Sequence, residues 1–408
     1  MTSEGFTTKI LHQDRQSTIQ HGSVHKPVHN SVAYAYRTVE ELAAVFQGKE
    51  KGYSYGRQNN PTTTALEEKI TVMEQGFETV CFATGMAAIT AVMVSLLRAG
   101  DHLVASQFLF GNTNSLFNTL IQLGIEVSFV DATETSAVAG AVKSNTRAVF
   151  VETIANPCTQ VADLAGIGDL CEQQQLLYIV DNTMTSPLLY LPRISKASLV
   201  VNSLTKCIGG HANVLGGAVT DTGIFDWSRF PNILDNYKKG DFRKWGIFQI
   251  RKKGLRDTGA TLAPDSASRI ALGAETLALR MSRACANAQA LASFLDSHAA
   301  IKKVHYPGIV SHPQHGRAST LFGDFGSLLS IDMVDGYDSF DFLNKLQFAV
   351  LSSHLGDNRT LCIPVAHTIF YEMGPERRAS MGISDNTIRV SVGIEDQQDL
   401  IADFAGAL

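Results

Sequence analysis

"DHLVASQFLFGNTNSLFNTLIQLGIEVSFVDA", residues 101–132, sets two short β-rich runs, "DHLVAS" and "IEVSFVDA", on either side of the helical pattern "NSLFNTLIQLG". Strand, helix-length crossover and strand form the unit that parallel pairing requires. The alternation continues: "ETSAVAGAVKSN" (134–145) reads as helix, "TRAVFVE" (146–152) as strand, "DLAGIGDLCEQQQ" (163–175) as helix, and "LLYIVDN" (176–182) and "ASLVVNS" (197–203) as strands. Upstream, "FATGMAAITAVMVSLLRAG" (82–100) reads as a helix opened by small residues. The pattern predicts an α/β fold, a parallel sheet covered by helices. Residues 1–60, with little helical periodicity, read as an extended arm, 61–260 as a large domain, and 261–408 as a second, mixed domain opening on a long helical stretch at Pro264.

The 408 residues are 45% hydrophobic and 18% charged, enough for a large core and two domains. A net charge of -5 without a basic block offers no footprint for nucleic acid or anionic lipid, so a small-molecule partner is expected. Six scattered cysteines without a C-x-x-C pair fit reduced thiols. The opening residues lack the long apolar run of a signal peptide, and no later run is long enough to span a bilayer, so a cytoplasmic location is expected. His12, His21, His25 and His29 have no acidic or cysteine partners in ligand spacing, and no metal is expected.

Open parallel sheets bind ligands beyond the carboxyl ends of their strands. Three runs deliver polar residues there: "AVFVETIANP" brings Glu152 and Asn156, "LYIVDNT" brings Asp181, and "LVVNSLTK" brings Ser203, Thr205 and Lys206. The helix starting at Gly85 and Met86 offers free N–H groups to an anion, most simply a phosphate. An amine, a carboxylate and a phosphate cradle are what pyridoxal 5'-phosphate requires: an amine for its aldehyde, a carboxylate for its ring nitrogen, and donors for its phosphate. Lys206 fits the first role, Asp181 the second, and Gly85, Met86, Ser203 and Thr205 the third. A lone buried ammonium is costly, and condensation with an aldehyde removes that cost.

At these residues the chain resembles the Cys/Met-metabolism family of pyridoxal-phosphate enzymes, of aspartate-aminotransferase-like (type I) fold, along nearly its whole length. "YSYGRQNNPT" (53–62), "ATGMAAI", "ETIANP", "VDNT", "NSLTKCIGGH" and "TIRVSVGIED" match the family's blocks. The resemblance implies a mostly parallel large domain and a smaller α+β C-terminal domain. It implies that Tyr55 and Arg57 reach the cofactor phosphate of a neighbouring subunit, hence a homodimer-based oligomer, usually a tetramer. It also places Arg389 at the substrate α-carboxylate, Asn156 at the ring hydroxyl, and Ser353 or His354 near the lysine. "FDWSRFP" and "GDNRTL" resemble the O-acetylhomoserine sulfhydrylase branch, while Asn112 and Arg359 stand where lyase branches carry cysteine and glutamate. The implied activity is γ-replacement: O-acetylhomoserine with sulfide or a thiol gives homocysteine or a related product of methionine biosynthesis and transsulfuration. Lys206 would move the α and β protons. A γ-lyase giving 2-oxo acid, ammonia and thiol, and a catalytically silent binding relative, are the alternatives. Phe110 replaces the family's tyrosine: it can stack on the cofactor ring but has no hydroxyl to exchange a proton.

Overall fold

The computed structural model describes residues 4–16 and 19–408. Its strands in chain order are β1 (Glu78–Phe82), β2 (His102–Ser106), β3 (Glu126–Val130), β4 (Thr146–Glu152), β5 (Leu177–Asp181), β6 (Leu199–Asn202), β7 (Gly217–Asp221), β8 (Ile301–His305), β9 (Leu328–Met333), β10 (Val350–Leu351), β11 (Leu361–Pro364) and β12 (Thr387–Ser391). Two compact units are present. One comprises Met1–Arg98, Ser198–Thr205 and Val214–Glu275, and the other Ala99–Ala197, Lys206–Asn213 and Thr276–Leu408.

In the first unit, β1, β7 and β6 lie in that order, both pairings antiparallel, with Val219 opposite both Val80 and Val201. The antiparallel pairing departs from the sequence expectation of parallel strands, because a short, fully buried apolar run carries no signal of direction. Helix Pro61–Met73 starts where Asn60 Oδ1 accepts the Thr62 N–H at 2.8 Å and proline occupies the first turn. Helix Gly85–Leu96 is capped by Thr84, whose Oγ1 accepts the Ala87 N–H at 2.9 Å. Gly217 opens β7 against this cap: a Cβ there would lie 2.1 Å from the Thr84 carbonyl oxygen, so only glycine fits. Within residues 1–60, short helices at Phe6–His12 and Val39–Phe46 stand among irregular segments.

In the second unit, β5, β4, β2 and β3 follow in order, all parallel. Helices Gly111–Gln122, Thr135–Ala141 and Leu164–Gln174 occupy the connections, at the places the alternation predicts. β2 is buried at every residue, with the apolar Leu103–Ala105 at its centre, as suits an interior parallel strand. The smaller sheet has the order β10-β11-β12-β9-β8, antiparallel except for β10 with β11. The long helical stretch from Pro264 is two helices, Pro264–Glu275 and Leu277–Asp296. The second packs Ala288, Leu291 and Leu295 into a core with Leu329, Ile331, Val390 and Phe404. The fold is α/β, with a large, mostly parallel sheet and a smaller second sheet.

Candidate active site

Strands β4 and β5 end together. Their terminal residues, Glu152 and Asp181, are paired in register, so two carboxylates emerge side by side. Burial, and next the Asp181 charge, push Glu152 well above the usual carboxylate range. Burial also raises Asp181, an effect partly offset where its Oδ1 accepts the Thr183 N–H at 2.9 Å. Glu152 Oε1 accepts the main-chain N–H of Phe110 at 2.7 Å, which fixes the residue preceding helix Gly111–Gln122. Asn156, four residues beyond Glu152, is buried, and its Oδ1 has no partner among the described residues. An orphaned buried acceptor of this kind is the mark of a ligand position.

Lys206 follows β6 and begins a turn in which the Gly210 N–H donates to the Lys206 carbonyl at 2.8 Å. Its Nζ lies 3.4 Å from His354 Nδ1. Desolvation, and then the Arg389 cation, lower the Lys206 amine from 10.5 to about 8. Desolvation and the Lys206 charge lower His354 to about 4, so its ring is neutral at pH 7. The ammonium donates to Nδ1, which leaves the proton on Nε2, and that atom has no partner among the described residues. Arg389 on β12 is wholly buried. Its Nη2 donates to the carbonyls of Ser353 and His354, each at 2.8 Å, while its Nε has no partner among the described residues. Ser353 thus meets Arg389 through its main chain, and His354 is the residue whose side chain reaches Lys206.

Two residues that the sequence reading leaves out secure the lysine loop. Arg280 donates from Nη1 to the Cys207 carbonyl at 2.7 Å and from Nη2 to the Ile208 carbonyl at 3.1 Å. Gly356, at φ +74, packs so close that a Cβ would sit 2.7 Å from the Cys207 N. Only the glycine of "GDNRTL" hints at this; Arg280 lies 73 residues from the loop that it holds, and no local pattern announces it.

In the first unit, Gly85 and Ser203 come together, with a Cβ at Gly85 falling 2.9 Å from the Ser203 Cβ and 3.0 Å from its Oγ. Met86 is the second residue of the same helix. Thr205 is fixed by both ends of its hydroxyl, donating to the Gly216 carbonyl at 3.1 Å and accepting the Gly216 N–H at 2.9 Å. Tyr55 is exposed, with the Arg57 guanidinium 5.5 Å from its ring centroid and donating to the Arg256 carbonyl at 2.6 Å.

Residues 7–408 match the family described as Cys/Met metabolism PLP-dependent enzymes. The chain belongs to this family. An L-methionine gamma-lyase of Fusobacterium nucleatum subsp. polymorphum is 36% identical over 99% of this chain and 98% of its own. A homocysteine synthase of Schizosaccharomyces pombe is 35% identical over 100% and 98%. A Campylobacter jejuni protein provisionally assigned as an O-acetylhomoserine (thiol)-lyase superposes with a TM-score of 0.93, at 30% identity and 99% coverage of both chains, and its crystal structure carries a pyridoxyl-lysine 5'-monophosphate. The enzyme's cofactor is accordingly pyridoxal 5'-phosphate. Its residues fit that group: a buried amine of lowered basicity, a carboxyl group at a strand end, an orphaned amide oxygen at Asn156, and a helix start that tolerates no side chain at Gly85.

Proposed function

We propose that the enzyme catalyses γ-replacement on an activated homoserine, exchanging an O-acyl group for a sulfur nucleophile. Lys206 would anchor the cofactor, Asp181 hold its ring nitrogen, Asn156 its hydroxyl and Phe110 its face. Gly85, Met86, Ser203 and Thr205 would hold the phosphate, with Tyr55 and Arg57 supplied by a second copy of the chain in a homodimer-based oligomer. When bound, the cofactor supplies an electron sink that acidifies the substrate's α and β C–H bonds. Arg389 orients the α-carboxylate through the guanidinium edge left open at Nε. Lys206, with a basicity near pH 8, takes the α proton and returns it. His354 accepts a hydrogen bond from Lys206 and so points the amine.

The observation that carries this reading is Phe110. Its ring has no proton to give, and its place is fixed by the Glu152 bond to its main chain. An acyl ester departs as a carboxylate, with a pKa of about 4 in ordinary carboxyls, and needs no acid. A thioether departs as a thiolate, with a pKa of about 8.5 or above, and gains from one. A site without a phenol at position 110 suits the ester.

Similarity to an L-methionine gamma-lyase favours a second reading, γ-elimination. Incubation of the holoenzyme with O-acetylhomoserine, with and without sulfide, separates the two. Homocysteine formed only with sulfide supports replacement, and 2-oxo acid formed at the same rate with or without sulfide refutes it. Formation of neither favours a binding relative. Phe110→Tyr is expected to raise turnover of L-methionine relative to O-acetylhomoserine, and an unchanged ratio would remove the Phe110 argument.

A further inference from the structure

Residues 354–357, "HLGD", form the loop that faces the Lys206 turn. Its main chain is fixed from β12: the Gly356 N–H donates to Ser391 Oγ at 2.9 Å, and the His354 carbonyl accepts from Arg389 Nη2 at 2.8 Å. Between the loop's two polar side chains, Gly356 packs on the lysine turn, where a Cβ would sit 3.0 Å from the Lys206 carbonyl carbon. One of those side chains, His354, receives Lys206 through Nδ1. The other, Asp357, is only 1% exposed. Its Oδ1 accepts the Arg359 N–H and a proton of Arg359 Nη1, each at 2.9 Å, while Oδ2 has no partner among the described residues.

A buried carboxylate oxygen without a donor and a buried imidazole N–H without an acceptor are each costly, and this loop carries one of each, three residues apart. The charges that act on the His354 ring are Lys206 from its turn, Arg389 from β12 and Asp357 from the loop itself. Asp357 is the only anion among them and the only one that makes the ring more basic. Arg280, from helix Leu277–Asp296, and Arg359 are the cations that face Asp357 in turn. An anion behind an imidazole fixes its tautomer and orientation and strengthens the opposite nitrogen as an acceptor. Resting on the part of the proposed function that makes Lys206 the proton carrier, we infer that Asp357 is a positioning residue. It holds His354 with the proton on Nε2 and the Nδ1 lone pair toward Lys206, and so aims the amine. With the proton on Nδ1 instead, the ring would turn an N–H toward the ammonium 3.4 Å away, and the contact would become repulsive.

Lys206 meets His354 as a free amine, so the test uses the full chain freed of cofactor. In ¹⁵N spectra of histidine-labelled protein, the His354 signals are identified by their loss in His354→Gln. The wild type should show a proton on Nε2 and a lone pair on Nδ1, and Asp357→Asn a mixture of tautomers; a wild-type ring with its proton on Nδ1 overturns the inference. The pH midpoint for acylation of Lys206 should fall in Asp357→Asn by about half a unit, a roughly threefold loss of proton affinity, as the ammonium loses part of one charge-assisted hydrogen bond. Asp357→Glu should recover part of it. Because Asp357 acts through the ring, the shift should vanish in a His354→Gln background. A shift of the same size in both backgrounds would assign Asp357 to Arg280 and the packing of the loop, and overturns the inference. Arg359→Met, at a side chain 65% exposed, strips Asp357 of its countercharge without endangering the fold, and should raise the midpoint only where His354 is present. A midpoint unmoved in both Asp357→Asn and Arg359→Met is equally fatal. The expected shifts in an enzyme that makes no homocysteine from O-acetylhomoserine and sulfide would leave Asp357 its role while γ-replacement falls.

Discussion

Protonation of Lys206 is the property on which the chemistry turns, and it can be measured without turnover. Burial and the nearby Arg389 charge bring its amine from 10.5 to about 8, a displacement worth at most ~3.5 kcal/mol at about 1.4 kcal/mol per decade. At pH 7.5 roughly a quarter of the side chains would be free amine, against about one in a thousand at the ordinary value, a ratio of ~200. In cofactor-free protein, pulse acylation at a series of pH values, followed by mass spectrometry of the Lys206 peptide, should show half-maximal reactivity near pH 8. Arg389→Gln should raise that midpoint, by less than burial lowers it, and Arg389→Lys should largely preserve it. Stability supplies a second readout. Between pH 8 and 10.5 the unfolded chain binds a proton at Lys206 that the fold releases, so this residue's penalty is fully present below pH 8 and fades as the pH rises to 10.5. Lys206→Met should therefore stabilise the cofactor-free protein at pH 7, with the advantage shrinking toward pH 10.5. A reactivity midpoint at the ordinary lysine value, with no such pH-dependent difference, would refute the reasoning.

Asp221, buried and accepting from Trp227 Nε1 at 2.7 Å, is pushed up to about 7 by desolvation. The fold thus keeps a proton that the unfolded chain loses from about pH 4, and stability should fall by up to ~4 kcal/mol as the pH rises from 4 to 7. Denaturant titrations should show that slope in the wild type and not in Asp221→Asn. The wholly buried ammonium of Lys69 is paired with Asp14 and Glu275, each at 3.2 Å. Glu275→Ala should cost about 3 kcal/mol in urea unfolding by leaving the charge under-compensated, and Lys69→Met should cost less. Gly356→Ala should displace the Lys206 loop, both through its left-handed φ and through the 2.7 Å approach to Cys207 N. The expected readout is weaker retention of the cofactor on dialysis, followed by its absorbance, at a stability that still permits folding.

Local pattern made the second unit's parallel strands legible. Strands β2 to β5 and the helices between them fall where the hydrophobic periodicity changes from strand to helix, because each must bury one characteristic face. The antiparallel pairing of β1, β7 and β6 is set by which strands meet, not by their composition, and no periodicity encodes it. The site divides the same way. Asp181, Asn156 and Lys206 announce themselves as polar residues ending apolar runs. That Glu152 is the neighbour of Asp181 needs the β4–β5 register, since the two residues are 29 positions apart in the chain. Arg280 and the His354 ring reach the lysine segment from 74 and 148 residues away, and only the folded chain brings them there.

Phe110 and His354 have to be considered together, because an enzyme lacking one proton donor can recruit another. His354 is the nearest candidate, yet its basicity near pH 4 means that it is almost never charged at neutral pH and cannot serve as an effective acid toward a departing thiolate. Its Nδ1 is also engaged by Lys206. Glu152, whose carboxyl is raised by burial, has its Oε1 committed to the Phe110 N–H. Lys206 remains, and under the proposed γ-replacement it already carries the α and β protons. A single amine serving every proton transfer suffices when the group that departs is a stable anion, and becomes limiting when it is a basic thiolate. The lowered basicities of Lys206 and His354 and the missing hydroxyl at position 110 both support the proposal that an oxygen ester is the bond broken.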